Sequence, residues 1–387
     1  MFAVLLALAL VLTLATSGDA AMDAPDPIEG DDQANDLSGT GGDDLIHGNG
    51  GNDTIQGYGG DDTITGGGGD NHLKGGAGDD LVRGGPGNDW IEDRDSDGDD
   101  TLRGGGGDDT FDIHSPEGQT LANGWTGDDT FRWSAGEATL NGGDGDDTFA
   151  LGGLGSPDQD EGPNSGSIDG GDGRDVVTLP FYSYAPRELL FRADGSAQLS
   201  DGTDTIDFAN VEEFHLGRGD TLVDATQTTT GVHVEGEHDI FWDGDITLLG
   251  GSGNDTLIDG NVIDGGAGDD LLGASRFGST LTGGEGGDTF AYDYDPYYDD
   301  PHGWYHSATA QIIDFNPAED RLSLTISYVE EYSEGPDTIH VDPPEVTIVS
   351  DPDNNQTLVM VNGEAAMALQ GLSDLDPSLL DITYNPR

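Results

Sequence analysis

From Ile46 onward a single large apolar residue recurs in a polar, glycine-rich chain, for long stretches at every ninth position. In the first run these residues are Ile46, Ile55, Ile64, Leu73, Val82, Ile91, Leu102 and Phe111. A triplet with one apolar residue between two polar ones predicts a short strand whose middle side chain points inward. One such strand buries one large side chain, so no unit is stable alone. Stacked neighbours can share a continuous core, which is how a solenoid is held together. Successive strands must reverse direction to coil, so two units complete one turn.

The rest of each unit is as regular as its apolar position. Gly48-Asn49-Gly50-Gly51-Asn52-Asp53-Thr54-Ile55-Gln56 is followed by Gly57-Tyr58-Gly59-Gly60-Asp61-Asp62-Thr63-Ile64-Thr65, and the clearest copy is Gly75-Gly76-Ala77-Gly78-Asp79-Asp80-Leu81-Val82-Arg83. The pattern is G-G-x-G-x-D-x-U-x, with U apolar. Glycine lets the backbone take positive φ in a tight turn. The sixth positions of the first run are Asp44, Asp53, Asp62, Asn71, Asp80, Asp89, Asp100 and Asp109, so Asn71 alone departs.

Sixth-position residues one turn apart then lie one above the other at roughly 4.8 Å. Bare carboxylates at that spacing repel by about 3 kcal/mol per pair at an effective dielectric near 20. A divalent cation between them reverses the sign, and turn carbonyls complete an oxygen shell that suits Ca²⁺. Folding and calcium binding are then expected to be one event.

Composition agrees. The 387 residues include 65 Gly and 78 Asp plus Glu against 12 Lys plus Arg, a formal charge of −66. Low hydrophobicity with such a charge reads as disorder unless a cation cancels it. The same charge repels nucleic acid and anionic lipid, so no nucleic-acid partner is expected. Cysteine is absent, which removes disulfides and thiolate metal sites and argues against zinc and iron–sulfur chemistry.

These units resemble the repeats-in-toxin (RTX), or haemolysin-type, calcium-binding nonapeptides. The resemblance implies an all-β chain: a parallel β-roll or β-solenoid in which sixth-position residues two repeats apart share an ion. One flank would carry Asp44, Asp62, Asp80 and Asp100. The other would carry Asp53, Asn71, Asp89 and Asp109, with Asn71 weakening its sites because an amide lacks the charge.

After Asp109 complete loops recur only at Asp129 and Asp147, which predicts coils with calcium on one flank, continuing the row of Asp53, Asn71, Asp89 and Asp109. Further units supply Asp175, Asp255, Asp270 and Asp288, and the second array reads as one-sided too. The expected division is a calcium-binding roll over 39–178, an irregular β-solenoid spacer over 179–249, a second array over 250–291 and an aromatic loop with a β-rich cap over 292–387. An acidic linker over 22–38 precedes them. The cap resembles those that close RTX proteins, where a phrase like Ile313-Asp314-Phe315…Asp320-Arg321-Leu322 recurs and the C-terminus carries a type I secretion signal. A solenoid end exposes strand edges and needs such a cover.

At the other end, an apolar run from Phe2 to Ala15 followed by small residues reads as a secretory leader over 1–21, although no Lys or Arg precedes it. As a helix it would span only about 22 Å of a roughly 30 Å hydrocarbon core. A leader and a type I signal conflict, because type I substrates ordinarily lack an apolar leader. Either the C-terminal region is only a cap, or the leader is an anchor or a wrong start site.

Asp93-Arg94-Asp95-Ser96-Asp97-Gly98 begins like an EF-hand loop, but Gly104 stands where a bidentate Glu is needed. An extra calcium ligand and a solvated acidic bulge both fit it. Tyr292–His306 gathers Tyr292, Tyr294, Tyr297, Tyr298, Trp304 and Tyr305 with His302 and His306, and reads as a loop packing over the roll's end, with a grip on carbohydrate, or on another cation through Asp and His302 or His306, as the rival. Arg218-Gly219-Asp220 is expected by accident in such a composition. Neither H-E-x-x-H nor G-x-S-x-G occurs, so the proteases and lipases that carry such repeats find no support. The reading is a secreted or surface-held structural or adhesive protein, not an enzyme, that folds on calcium. A cell-surface or polysaccharide partner and type I export machinery are the partners it admits. The rival is an extracellular polysaccharide-acting enzyme. A pore-forming toxin is disfavoured, because no insertion segment exists beyond the leader.

Overall fold

The computed structural model describes residues 27–386 apart from 95–96, 153–164, 180–185, 218, 237–244, 276–277, 295–308, 329–330, 335–336 and 341–342. The chain coils as an all-β parallel solenoid. In the first run each strand pairs in parallel with the strand two further on: Leu45–Gly50 with Thr63–Gly68 through Ile46↔Ile64, and Thr54–Gly59 with His72–Ala77 through Ile55↔Leu73. One turn is therefore two repeat units, as the sequence spacing requires. The two rows of strands face each other, and all eight apolar positions of the first run are at most 1% exposed.

Coiling begins early. Ile28–Glu29 pairs with Leu45–Gly50 and Asp36–Ser38 with Thr54–Gly59, so residues 28–38, within the stretch read as a linker, supply the first coil. Where an insertion falls between units, Val82 still pairs with Leu102, so the excess is taken up outside the ladder while the core register holds.

Past Asp109 the strands lengthen. Thr110–Thr126 runs through a bend, its start pairing with Trp90–Asp93 and its end with Asp99–Gly106. Thr130–Asp144 repeats the device. The core broadens there: Phe111, Phe131 and Phe149 stack at 4.5 and 4.9 Å, and Ile113, Trp133 and Leu151 are buried beside them.

Residues 179–249 continue the same core. Val176–Thr178, Glu213–His215, His233–Glu235 and Thr256–Gly260 form one row, and Arg187–Phe191, Thr221–Asp224, Ile246–Leu249 and Val262–Ala267 the other. The irregularity is one antiparallel strand, Ala197–Ser200, between Arg187–Phe191 and Thr205–Ala209. At the C-terminal end an antiparallel meander, Val346–Asp351, Gln356–Val361 and Glu364–Gln370, covers the roll, docking in parallel on Ala310–Ile312. Leu380–Pro386 covers Arg321–Tyr328.

Tyr292 and Tyr294 are core residues of the strand Thr289–Tyr294. Tyr297, Tyr298, His302, Trp304, Tyr305 and His306 lie outside the described residues, as do the apolar run Phe2 to Ala15, Arg218, and Asp95 and Ser96. Among the described residues no helix is long and apolar enough to cross a membrane.

Candidate metal centre

Each sixth-position side chain turns inward from its glycine loop and binds the coil before it. The Asp44 N–H donates to Asp62 Oδ1 at 2.7 Å, Asp62 N–H to Asp80 Oδ1 at 2.8 Å, and Asp80 N–H to Asp100 Oδ1 at 2.8 Å. The opposite flank runs Asp53, Asn71, Asp89, Asp109, Asp129, Asp147 and Asp175 through the same bond at 2.7–3.0 Å. One oxygen of each carboxylate is thereby used.

The other oxygen is not. Oδ2 of Asp53, Asp62, Asp80, Asp89, Asp109, Asp129, Asp147, Asp175 and Asp270 is buried without a hydrogen-bond partner. A buried acceptor left bare costs free energy, and a bare charge costs more. Each points at the first glycine of its own loop, and beside most of them a carbonyl of the next coil converges on the same point. A methyl at Gly57 would collide with Asp62 Oδ2 and Gly75 O together. At Gly39 it would lie 2.5 Å from Gly57 O and 2.8 Å from Asp44 Oδ2. The absent side chain leaves a cradle of carboxylate and carbonyl oxygen, the donor set of a hard cation.

At the ends of the rows Oδ2 finds a local donor: Thr40 N–H for Asp44, Gly251 N–H for Asp255 and Asn316 N–H for Asp320. At Asn71 the corresponding atom is an amide nitrogen, which donates to Gly69 O and Asp89 Oδ1 at 3.1 and 2.9 Å.

Burial pushes these carboxyls upward. Asp89, Asp175 and Asp270 rise to about 6, Asp80, Asp129 and Asp147 to about 7, and Asp100 and Asp109 to about 8. Desolvation is the main cause, opposed by the backbone N–H bond, and repulsion from neighbouring acids adds to the rise. At Asp89 that repulsion comes from Asp70, and at Asp129 from Asp108 and Asp128, all in the exposed fifth position of their loops. Asp62, Asp255, Asp288 and Asp320 move the same way. Burial without a cation thus disfavours charge on these carboxyls.

The row of Asp53 does not stop at Asp175. Asp175 N–H donates to Glu212 Oε2 at 2.7 Å, extending it into the spacer. Val232 then takes the acid's place, its N–H donating to Asp255 Oδ1, and the row resumes through Asp255, Asp270, Asp288 and Asp320. The second array thus occupies the same flank as the first. Asn35 begins the row, its N–H on Asp53 Oδ1 at 2.8 Å. Glu212 and Asp320 escape a search by spacing, because the intervals from Asp175 to Glu212 and from Asp288 to Asp320 are not multiples of the repeat; Asn35 keeps the spacing but stands in a loop with few of the consensus residues. The other flank ends at Asp100: Thr120, Ala138 and Gly166 follow it in register. Thr120 Oγ1 there donates to the buried Asp93 Oδ2 at 2.6 Å.

The fifth position, written x in the consensus, also has a task. Asp61 N–H donates to Asp43 Oδ1 and Asp79 N–H to Asp61 Oδ1, both at 3.0 Å. On the other flank Asn52, Asp70, Asn88, Asp108, Asp128 and Asp146 repeat this up to Arg174 N–H. This exposed row runs with the opposite polarity to the buried one.

A family model of the RTX calcium-binding nonapeptide repeat matches the chain in four copies, over residues 29–64, 56–91, 94–112 and 243–272. No curated protein matches the chain. Among solved structures it is similar to the extracellular lipase LipA from Serratia marcescens, at 16% identity over 68% of this chain and a TM-score of 0.21. The chain spans 39% of that lipase, and a likeness of this degree carries no weight for fold or activity.

Proposed function

Starting from a chain built on RTX calcium-binding repeats, we propose that its acid rows hold stacked Ca²⁺ ions and that it works outside the cytoplasm as a structural or adhesive module rather than an enzyme. The observation that carries this is the set of nine buried, partnerless Oδ2 atoms, each facing a glycine cradle that a Cβ would fill. When bound, Ca²⁺ supplies charge neutralisation and an oxygen-coordinated crosslink between successive coils. Asp53, Asp62, Asp80, Asp89, Asp109, Asp129, Asp147, Asp175 and Asp270 would hold it with one oxygen while the other keeps the coil register through a backbone N–H. Asp44, Asp100 and Asp255 would stand at the ends of rows, Asp288 would precede the last acid, Asp320, and Asn71 would weaken its neighbours' sites by offering a donor where the others offer an acceptor.

Calcium scarcity inside cells and abundance outside would leave the nascent chain extended until export. Its charge of −66 keeps it so. The test is circular dichroism and calorimetry of the full chain during calcium titration. β-signal gained with Ca²⁺ and not with Mg²⁺ is the expected result. Equal order in excess chelator overturns the proposal. Cell fractionation tests the location, and a panel of polysaccharide substrates tests the absence of activity.

A further inference from the structure

We propose that Glu213, His215, His233 and Glu235 form a binding site for a divalent transition metal of the zinc class, separate from the calcium loops. They lie on adjacent parallel strands paired Glu213↔His233 and His215↔Glu235. Residues two apart on a strand share a face. Phe214 and Val234 between them fill the core, so the four side chains form an outer square with acid and imidazole alternating along and across the strands.

The distances suit one small ion held by Glu213, His215 and Glu235, with His233 beside them as a further ligand. One donor atom from each of Glu213, His215 and Glu235 lies within 4.8 Å of the other two. His215 Nε2 is 2.5 Å from Glu213 Oε1 and 3.8 Å from Glu235 Oε2, and His233 Nε2 is 3.5 Å from Glu235 Oε1. His233 Nδ1 lies 3.9 Å from Glu213 Oε2. A tetrahedral ion with bonds of about 2.0–2.1 Å sets its ligand atoms about 3.4 Å apart. The separations to Glu235 are close to that edge, and the shorter His215–Glu213 contact opens to it with a small side-chain rotation.

Three further features point to a ligand. Glu213 is buried, its side chain 7% exposed, and its other oxygen is held by the half-exposed Arg174, as ligating carboxylates are commonly held from behind. His233 Nε2 is buried and makes no hydrogen bond, although it faces Glu235 Oε1 at 3.5 Å across the square. The third feature is position. The coil of His233 and Glu235 is the one at which Val232 interrupts the acid row, so a metal here would tie coils together where the calcium row is broken. Imidazole with carboxylate favours zinc-like ions, whereas calcium takes oxygen alone. Lack of cysteine removes thiolate sites and leaves this donor set untouched.

The test is titration of Zn²⁺, and of Co²⁺ as its spectroscopic substitute, into the full-chain protein in saturating Ca²⁺. One tight equivalent and an intense tetrahedral Co²⁺ band are expected, with affinity at least about a hundredfold weaker in the double variant His215→Ala, His233→Ala. The circular dichroism of that variant in Ca²⁺ should match the parent. If the variant fails to fold, the Co²⁺ spectrum of the parent still decides: a weak octahedral spectrum overturns the site. Unchanged Zn²⁺ affinity in the folded variant overturns it as well.

Discussion

The two flanks of the roll share a core and a coil, yet only one keeps its acids. On the flank of Asp44 the row stops at Asp100, and Thr120, Ala138 and Gly166 continue in register without a charge. The flank of Asp53 keeps an acid or its amide through every described coil to Asp320, except at Val232. What changes with the loss is the core. Up to Leu102 the core is Ile, Val and Leu; where the row of Asp44 ends it holds Phe111, Phe131, Phe149 and Trp133, and the one-row second array returns to Leu257, Ile263, Leu272 and Leu281. Larger apolar side chains bury more surface per coil. Between Phe111 and Leu151 the loss of one acid row is therefore accompanied by a larger apolar core, whereas the second array has one row without that enlargement.

The strongest way to break this comparison is to remove calcium. In excess chelator, hydrogen exchange should show residues 28–110 losing protection before 111–151, since the first stretch has two unneutralised rows and the smaller core. Simultaneous loss in both would mean the larger core contributes nothing of its own. Next in size is Phe131→Ala, expected to cost about 3–5 kcal/mol in denaturant melts with Ca²⁺ present. A cost near 1 kcal/mol would remove the aromatic stack from the account, being roughly what a single exposed contact is worth.

Asp109→Asn sharpens the comparison by its sign. It should destabilise by about 1–3 kcal/mol in Ca²⁺, where a charged ligand is lost, and stabilise in chelator, where repulsion and desolvation are relieved. The same sign in both conditions would uncouple Asp109 from the ion.

The pH dependence follows from the raised carboxyls. Their folded values of about 6 to about 8 lie above the unfolded value of 3.8, so the metal-free fold binds the extra protons. Their contribution to stability is complete below the unfolded value and is lost as pH rises through the folded ones. In chelator the chain should gain order on acidification from about pH 8 to about pH 5. In saturating Ca²⁺ that gain should vanish. The smallest effect is Asp108→Ala, about 0.5–1.5 kcal/mol in Ca²⁺ for one exposed hydrogen bond to Asp128 N–H, and less in chelator, where its repulsion of Asp129 is relieved as well.

Much of the fold and site was readable beforehand because neighbours in space are neighbours at a fixed count. The two-unit turn, the inward Ile and Leu positions, the pairing of Asp62 with Asp80 and the one-sidedness after Asp109 all follow from the repeat period. The first coil at Ile28 was hidden, because Gly30 to Asn35 keeps the geometry with few of the consensus letters. The task of the fifth position was hidden for another reason: Asp and Asn there cap a backbone N–H one coil away, which a consensus records only as a free letter.

The amino-acid sequence by itself determined the repeat: which residues turn inward, which acids stack, and why a cation is needed between them. Tertiary structure alone decided that the second array continues the Asp53 flank of the first, that Glu212 and Asp320 join the row, and that two histidines of successive coils meet two glutamates. The physical reason is that insertions break the count along the chain while core packing preserves the register across it, so distant segments are aligned by what they bury rather than by how many residues separate them.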